Sequence, residues 1–285
     1  MEISNYIKTL RPEQWYKNLL VFLAIIYSFS LLDFKKLNMA FLGFIVLSVL
    51  SSANYIFNDI IDKKNDVKNN LKSDRTIASG KVSIKNAFAI FFGLLAAGWL
   101  ASFGLGYNFF LLMVSFVAIS TAYTLYLKKE MFVDILAIAI NFAIRAVSGA
   151  VLIGVYVSPW LILCPSFLSL FISVGKRRAE TSILGKNALK YRSTLSYYTE
   201  DLTNSLMIIT TTILIVSYTF YTLSMGNKLI LTLPVVLYGI FRYFKFVYQN
   251  PLTASKPELV FKDARLMLAL ILWAFMTIAL LYLNL

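Results

Sequence analysis

The feature that most constrains this chain is a succession of apolar blocks, each about 20 residues long, separated by charged or turn-rich breaks. A helix of about 20 residues rises by roughly 30 Å, which is the thickness of the hydrocarbon core of a bilayer. Apolar residues make up 59% of the 285 residues, and the mean hydropathy is +0.73. Because a water-soluble core cannot absorb that much apolar surface, the pattern predicts an all-α protein that folds in lipid.

Nine predicted spans make the chain a polytopic bundle of nine transmembrane helices. They lie at 16–32, 38–58, 84–103, 108–127, 132–155, 159–175, 204–224, 228–248 and 264–284. No small-residue cleavage pattern follows the first block, so we expect this block to remain as a membrane helix. No linker, solenoid repeat or low-complexity segment divides the chain, and we therefore expect a single domain over residues 1–285.

The basic residues gather in alternate loops, which indicates the topology. Cytoplasmic loops of membrane proteins carry an excess of Lys and Arg. With the N-terminus in the cytoplasm, the long polar loops at 60–83, 176–203 and 249–263 all face inward, and nine spans place the C-terminus outside. We expect a multi-pass protein of the cell membrane. Because this topology accounts for the net charge of +13, we expect no nucleic-acid partner.

Residue usage narrows the possible chemistry. The chain has no histidine and a single cysteine, Cys164. An intrachain disulfide is therefore impossible, and the common zinc sites and histidine-based proton transfer are excluded. Carboxylates, lysines, arginines and tyrosines remain, and this set of side chains is suited to a hard cation with oxygen ligands.

The strongest cluster of candidate residues stands at the cytoplasmic end of the second span, where Asn58 and Asp59 are followed by Asp62 and Asp66. Spacings of three, four and seven residues place the three aspartates on one helix face, with Asn58 one turn from Asp62. Stacked carboxylates repel one another, and Mg²⁺ converts that repulsion into coordination while leaving room for phosphate oxygens. We predict that Asp59, Asp62 and Asp66 are catalytic residues that bind Mg²⁺, with Asn58 binding substrate. A solvated helix end with Asp59 and Lys63 as an ion pair is the alternative.

Other candidate substrate-binding residues lie near the same predicted face. Arg75 can bind a phosphate with two hydrogen bonds, and Asp74 can orient it. The remaining candidates at this membrane end are Tyr123, Tyr126 and Lys128, which close the fourth span. Ordinary positive-inside loops and interfacial anchors are the alternatives for these residues.

Two further groups of candidates lie in or beside the spans. Arg145 stands inside the fifth span, where an ionisable residue usually faces a cavity or a partner helix, and Asn141 precedes it by one turn. Lys17 and Asn18 stand at the very start of the first span and can reach a lipid phosphate at the interface. A structural pairing of Arg145 with another helix is the alternative to anion binding.

A basic run follows the sixth span. It consists of Lys176, Arg177, Arg178 and then Glu180. Three adjacent cations followed by a carboxylate are suited to a multiply phosphorylated ligand, although membrane-end anchoring is again the alternative.

The cluster Asn58-Asp59-x-x-Asp62-x-x-x-Asp66 resembles the first aspartate-rich motif of the UbiA superfamily of intramembrane prenyltransferases. The nine predicted spans agree with this resemblance along the whole chain. The resemblance implies a cytoplasm-facing active-site cavity that holds a Mg²⁺-bound diphosphate. Aromatic prenyltransferases of the superfamily usually carry a second D-x-x-x-D pattern after the sixth span, where this chain has Gly175-Lys176-Arg177-Arg178-Ala179-Glu180.

Three further segments resemble the decaprenyl-phosphate phosphoribosyltransferase branch of that superfamily. They are Arg11-Pro12-x-Gln14-Trp15-x-Lys17-Asn18, the stretch from Tyr123 to Lys128, and Arg145-Ala146-x-x-Gly149. The resemblance implies Mg²⁺-dependent transfer of 5-phosphoribose from phosphoribosyl diphosphate to a polyprenyl phosphate, with release of diphosphate. It also implies that the basic run and Arg75 bind donor phosphates and that Lys17 lies near the lipid phosphate.

Two other functions stay open. The first is a prenyltransferase that moves a polyprenyl group from its diphosphate to an aromatic or glyceryl-phosphate acceptor, which a second carboxylate pair would favour. The second is a membrane transporter with a polar stripe at Arg145. Transporters often show inverted repeats and broken helices near the midplane, and we find neither pattern in the sequence.

Overall fold

The computed structural model describes residues 3–68, 72–184, 193–260 and 262–283. Over these residues the chain is helical and contains no strand, which confirms the all-α prediction. The α-helices are α1 (Ile3–Leu10), α2 (Leu23–Tyr27), α3 (Phe34–Asp66), α4 (Ile84–Leu105), α5 (Tyr107–Leu125), α6 (Val133–Ile153), α7 (Pro159–Leu184), α8 (Glu200–Ser224), α9 (Leu233–Gln249), α10 (Pro251–Ser255), α11 (Pro257–Val260) and α12 (Ala264–Tyr282). Four 3₁₀ segments connect them at Pro12–Phe22, Leu127–Lys129, Ser193–Tyr197 and Asn227–Thr232.

Eight helical stretches in the described part of the chain are long and apolar enough to cross a membrane. They are α3 to α8, the stretch Lys228–Gln249 that contains α9, and α12, and they coincide with eight of the nine predicted spans. The predicted first span at 16–32 is not one continuous helix. It consists of the 3₁₀ segment Pro12–Phe22 and the short α2, so the count of nine crossings stays a prediction.

The interruption of the first predicted span has a physical basis in its polar contacts. A 3₁₀ run of this length is unusual, and here side-chain hydrogen bonds hold it. Asn18 is buried, and its amide donates to Ser48 Oγ at 3.1 Å while its carbonyl accepts from Arg145 Nε at 2.9 Å. The apolar pattern predicted the location of this segment, and these long-range contacts determine its conformation.

The chain divides into two compact units, residues 1–157 and residues 158–285. In the first unit, α3 packs against α4, α5, α6 and the 3₁₀ segment Pro12–Phe22. Its main apolar cluster combines Val21, Leu47, Leu50, Phe109 and Met113, all nearly inaccessible. The single-domain expectation for residues 1–285 stays a prediction.

A smaller apolar cluster in the first unit fixes the loop that follows α3. Ile77 and Val82 of that loop pack with Ile56 of α3 and Ala87 of α4. Because all four side chains are fully buried or almost so, the loop is anchored on both sides of Gly80, whose φ of 76° suits a glycine. Because Arg75 stands two residues before Ile77, this packing also fixes the position of Arg75.

The second unit contains α7 to α12. Within it, α7 packs against α8 and α10, and α9 packs against α12. Asp263 caps α12 by accepting from the Leu266 backbone N–H, and it accepts two hydrogen bonds from Arg242 at 3.0 and 2.6 Å. Hydrogen bonding from Arg242 lowers the pKa of Asp263 below its ordinary value.

Close packing of α6 against the 3₁₀ segment Pro12–Phe22 requires a glycine. A Cβ added at Gly149 would collide with the backbone carbonyl oxygen of Val21. Backbone atoms cannot move aside as a flexible side chain can. We therefore expect Gly149→Ala to lower the melting temperature of the purified protein by roughly 3 to 10 °C, as measured by intrinsic fluorescence.

Gly104 provides a matched control, because it also lies in a transmembrane helix and a Cβ there would meet nothing within 4 Å. Gly104→Ala should leave the melting temperature unchanged or raise it slightly, since alanine favours helix. Equal effects of the two substitutions would contradict the packing argument.

Candidate active site

The C-terminal end of α3 carries two buried carboxylates that share one cation. Asp59 and Asp66 are each only 3% exposed. Arg75 Nη1 donates to Asp59 Oδ1 at 3.0 Å and to Asp66 Oδ2 at 2.7 Å. Because one nitrogen contacts both side chains, the two carboxylates face the same point in space.

Arg11 provides a second cation for Asp59. Its Nη2 atom lies 2.5 and 2.7 Å from the two carboxylate oxygens of Asp59. Arg11 has a left-handed backbone conformation, with φ 54°, at the junction between α1 and the 3₁₀ segment. Its guanidinium carbon also lies 5.4 Å from the ring centroid of Tyr55. Arg11 was not among the predicted site residues, although it heads the Arg11-Pro12 segment that carries part of the resemblance.

Asp62 lies in a different environment from the other two aspartates. It accepts a hydrogen bond from Lys128 Nζ at 2.6 Å. Beside it on α3, Asn58 accepts from Thr124 of α5 at 3.4 Å. The structure therefore brings Asp59, Asp66 and Arg75 together in one group, and Asp62 and Lys128 together in another.

The prediction of Mg²⁺ ligands can be tested against this arrangement. In the described part of the chain, no three Asp, Glu, Cys or His side chains are grouped to hold an ion. Asp59 and Asp66 nevertheless place two oxygens around a single positive group, Arg75. Mg²⁺ commonly takes one or two protein carboxylates and completes its octahedron with waters and substrate phosphates. Asp59 and Asp66 fit that requirement, and the role of Asp62 as a third ligand stays a prediction.

Charge compensation explains why cations surround these aspartates. An ionised carboxylate transferred from water into a protein interior loses several kcal/mol of solvation unless it is paired and hydrogen-bonded. Arg11, Arg75 and Lys128 supply positive charge from three separate segments. Any of these cations that leaves a carboxylate upon metal binding becomes available to a phosphate oxygen.

Lys17 lies near this group on the 3₁₀ segment. Its Nζ atom donates to Gln14 Oε1 at 2.7 Å and to the Tyr55 hydroxyl at 3.5 Å. Tyr55 is thus close to both Arg11 and Lys17. No motif in the sequence singled out Tyr55, which stands in the middle of α3.

Arg145 and Asn18 form a buried network rather than an exposed anion site. Arg145 is 6% exposed, donates to Asn18 and to the Asn141 carbonyl oxygen, and lies 4.6 Å from the Phe116 ring centroid. Ser51 also donates to Asn18, at 3.3 Å. These contacts favour the structural alternative for Arg145, which holds the 3₁₀ segment in place and so positions Lys17.

The other predicted residues of the first unit differ in their placement. Asn141 is buried, and its amide donates to Ser120 of α5 at 3.1 Å. Tyr123 is partly buried, whereas Tyr126 and Asp74 are exposed. Tyr126 and Asp74 are therefore not buried beside the aspartates.

In the second unit, the predicted basic run forms one turn of α7 with its carboxylate. Arg177 is buried and contacts Glu180 at 2.6 Å, and Lys176 lies 3.9 Å from the same residue. Arg178 contacts the exposed Glu200 at 3.1 Å. Glu180 therefore neutralises part of the run, and the binding of substrate by these four predicted residues stays a prediction. The continuation of this basic loop, residues 185–192, lies outside the described residues.

Comparisons with known proteins agree with the resemblance to the UbiA superfamily that the sequence motifs indicate. The UbiA prenyltransferase family matches residues 19–262. A decaprenyl-phosphate phosphoribosyltransferase of Mycolicibacterium smegmatis is 31% identical over 226 residues, which cover 78% of this chain and 71% of that protein. A protein of the same description from Mycobacterium tuberculosis strain H37Rv is 31% identical over 224 residues, covering 76% of this chain and 73% of the relative.

Among solved structures, a UbiA homologue from Archaeoglobus fulgidus bound to GPP and Mg²⁺ superposes with a TM-score of 0.73. The match covers 97% of this chain and 99% of that chain, at 17% sequence identity. At this level of identity, the comparison establishes the fold.

The shared position of Arg75 between two carboxylates leads to a test. Arg75→Ala leaves Asp59 and Asp66 with less compensation, so we expect a loss of about 2 to 4 kcal/mol of stability without divalent metal. Millimolar Mg²⁺ should restore more stability to this variant than it adds to the wild type, because the ion takes the place of the guanidinium. Melting temperatures with and without Mg²⁺ measure both effects.

Arg265→Gln is the control, since Arg265 is exposed and lies in the first turn of α12 in the second unit. It should change neither the stability nor the Mg²⁺ response. The assignment fails if Mg²⁺ stabilises Arg75→Ala and the wild type equally.

Proposed function

The chain belongs to the UbiA prenyltransferase family, and we propose that it transfers 5-phosphoribose from phosphoribosyl diphosphate to a polyprenyl phosphate, releasing diphosphate. Family membership makes it a membrane-embedded transferase. Two relatives at 31% identity that bear the name decaprenyl-phosphate phosphoribosyltransferase support the phosphoribosyl branch.

The observation that carries this proposal is the mixture of carboxylates and cations at the C-terminal end of α3. Arg11, Arg75 and Lys128 all lie within 3.0 Å of an aspartate oxygen. A ligand that carries a metal-bound diphosphate and further negative charge matches both kinds of group. Phosphoribosyl diphosphate has this character because it bears a separate 5-phosphate in addition to its diphosphate.

Asp59 and Asp66 are the residues that would hold Mg²⁺. When bound, Mg²⁺ would neutralise charge on the diphosphate and so make it a better leaving group. In the proposed role of the cations, Arg75 and Arg11 donate hydrogen bonds to phosphate oxygens of the donor. Arginine is suited to this role because its planar guanidinium makes paired hydrogen bonds to phosphate.

The transfer itself requires no proton movement. The bond between sugar C1 and the diphosphate oxygen breaks, and its electron pair leaves with the diphosphate. A lipid phosphate oxygen then forms the new bond to C1. Because that phosphate is anionic at neutral pH, the reaction needs no general base, in agreement with a chain that lacks histidine.

The proposed acceptor site lies at Lys17. Its ammonium is fixed by Gln14 and Tyr55, and Arg145 holds the 3₁₀ segment through Asn18. A cation at this position would attract the lipid phosphate. We place the reaction at the cytoplasmic face of the cell membrane, with the N-terminus inside and the C-terminus outside, because the basic loops favour that orientation.

Prenyl transfer is the second candidate function, and the fold comparison favours it in one respect. The Archaeoglobus fulgidus homologue with the same fold is bound to GPP and Mg²⁺. Purified protein in nanodiscs should therefore be given two substrate pairs: phosphoribosyl diphosphate with a polyprenyl phosphate, and a prenyl diphosphate with 4-hydroxybenzoate. We expect turnover with the first pair, and turnover only with the second would overturn the proposal.

Asp66→Asn should reduce the rate of phosphoribosyl transfer by roughly 100-fold or more, because it removes a charge from the proposed metal site. The assay is release of diphosphate under saturating substrates. Asp33→Asn is the matched control, since Asp33 caps the opposite end of the same helix and asparagine is also a good cap. An unchanged rate in Asp66→Asn would remove Asp66 from the proposed site.

Lys17→Met should raise KM for the polyprenyl phosphate by about 10-fold, the value expected for one lost charge-assisted hydrogen bond. KM for phosphoribosyl diphosphate should change little. Lys36→Met is the control, because Lys36 lies at the other end of α3 and contacts Ser30. If the Lys17 variant instead raises KM for the donor, then Lys17 is not the acceptor site.

A further inference from the structure

Among the described residues of the first unit, Ser28 just after α2 has one buried polar atom without a hydrogen-bond partner, and three more such atoms lie within the membrane-spanning helices. These three are both amide atoms of Asn54 and the amide oxygen of Asn141. Each residue is only 9% exposed, and each lies within a membrane-spanning helix. An unpaired buried polar group destabilises a folded protein, and lipid provides no water to form the missing hydrogen bond. A polar ligand bound here would supply the hydrogen bonds that these atoms lack.

Hydrogen bonds show that the two asparagines lie at one level of the helix bundle. Asn58 of α3 accepts from Thr124 of α5, which aligns these two helices. Because α4 returns between them, α3 and α5 run in the same direction, so Asn54 and Ser120 each lie one turn further from the C-terminal end of their helix. Asn141 of α6 donates to Ser120. The three helices thus contribute Asn54, Ser120 and Asn141 to one polar layer.

This polar layer lies directly beyond the proposed diphosphate site. Asn54 precedes Asn58 by one turn, a rise of about 6 Å along the helix axis. In the other direction, Ser51 bonds to Asn18, which accepts from Arg145. Along α3, Asn58 on one side of the layer and Ser51 on the other side have hydrogen-bond partners. The Asn54 amide and the Asn141 oxygen have none.

We propose that Asn54 and Asn141 bind the 2- and 3-hydroxyl groups of the ribose in the donor. This inference rests on the proposed function. A vicinal diol offers two donors and four acceptor lone pairs. The Asn54 side chain supplies a donor nitrogen and an acceptor oxygen, and Asn141 supplies a second acceptor oxygen. The diol can therefore form a hydrogen bond with each of the three unpaired atoms.

The same layer distinguishes a sugar donor from a prenyl donor. A prenyl chain carries no hydroxyl and would leave three buried polar atoms unpaired. Sites built around hydrogen bonds to a hydroxyl reject analogues without it far more strongly than apolar pockets reject an extra group. Asn54 and Asn141 are therefore specificity-determining residues, whereas the aspartates bind the diphosphate common to both donors.

The test compares binding of phosphoribosyl diphosphate with binding of inorganic diphosphate, both with Mg²⁺, to the full-length protein in nanodiscs. Isothermal titration of Asn54→Leu should show phosphoribosyl diphosphate bound about 10-fold or more weakly than by wild type, from two lost hydrogen bonds. Diphosphate affinity should stay within about 2-fold. The melting temperature of the ligand-free variant should not fall, because leucine removes an unpaired amide of similar size.

Thr277→Val serves as the matched control, since its hydroxyl is also buried without a partner but lies in the second unit. It should leave both affinities unchanged. If Asn54→Leu weakens both ligands equally, or weakens neither, the ribose assignment is wrong. A fall in melting temperature without a change in ligand preference would assign Asn54 a structural role and would also overturn it.

A second measurement compares two ligands that differ only in the ribose hydroxyl groups. The wild type should bind the 2,3-dideoxy analogue of phosphoribosyl diphosphate about 10-fold or more weakly than the parent compound, and Asn54→Leu should lose most of that difference. Equal wild-type affinity for the two compounds would overturn the inference alone. If the wild type binds phosphoribosyl diphosphate no better than diphosphate, the proposed function fails as well.

Discussion

Compensation of buried negative charge organises the first unit of this protein. Asp59 and Asp66 lie at the end of a membrane-spanning helix with almost no exposure, where an unpaired carboxylate would be unstable. Arg11 comes from the segment before the first predicted span, and Arg75 comes from the loop after α3. Both segments are held where their cations reach the carboxylates: Arg11 has a left-handed backbone conformation, and apolar packing of Ile77 and Val82 anchors the loop that carries Arg75. The same cations are then in place for a phosphorylated ligand.

Polar residues further along α3 continue this organisation into the apolar interior. Asn58 bonds to α5, Ser51 bonds to Asn18, and Asn18 accepts from Arg145 of α6. In lipid, such contacts hold helices together where the hydrophobic effect contributes little. The layer at Asn54 departs from this pattern because its amide has no partner. The helix bundle pairs the neighbouring polar groups and leaves these atoms without a partner. In the inference drawn above, a ligand supplies their hydrogen bonds.

Much of the fold followed from the sequence, and part of the site did as well. Nine apolar blocks predicted nine spans, and eight of them coincide with described helices that are long and apolar enough to cross a membrane, because the thickness of the bilayer sets the length of each block. The aspartate spacing predicted one helix face, and the structure shows Asp59 and Asp66 turned toward the same cation. The interruption of the first predicted span and the separate pairing of Asp62 with Lys128 were not predictable. Both depend on contacts between residues more than 60 positions apart.

The membrane environment, the helical class and the residue types available for chemistry were predictable from the sequence, since they follow from local hydrophobicity and composition. The tertiary structure decided which cation meets which carboxylate, because that choice depends on where three distant segments meet. It also decided that Arg145 is bound by Asn18 and that Tyr55 and Asn54 adjoin the site. Such assignments depend on helix packing and side-chain geometry, and neither is encoded by the spacing of residues along a single helix.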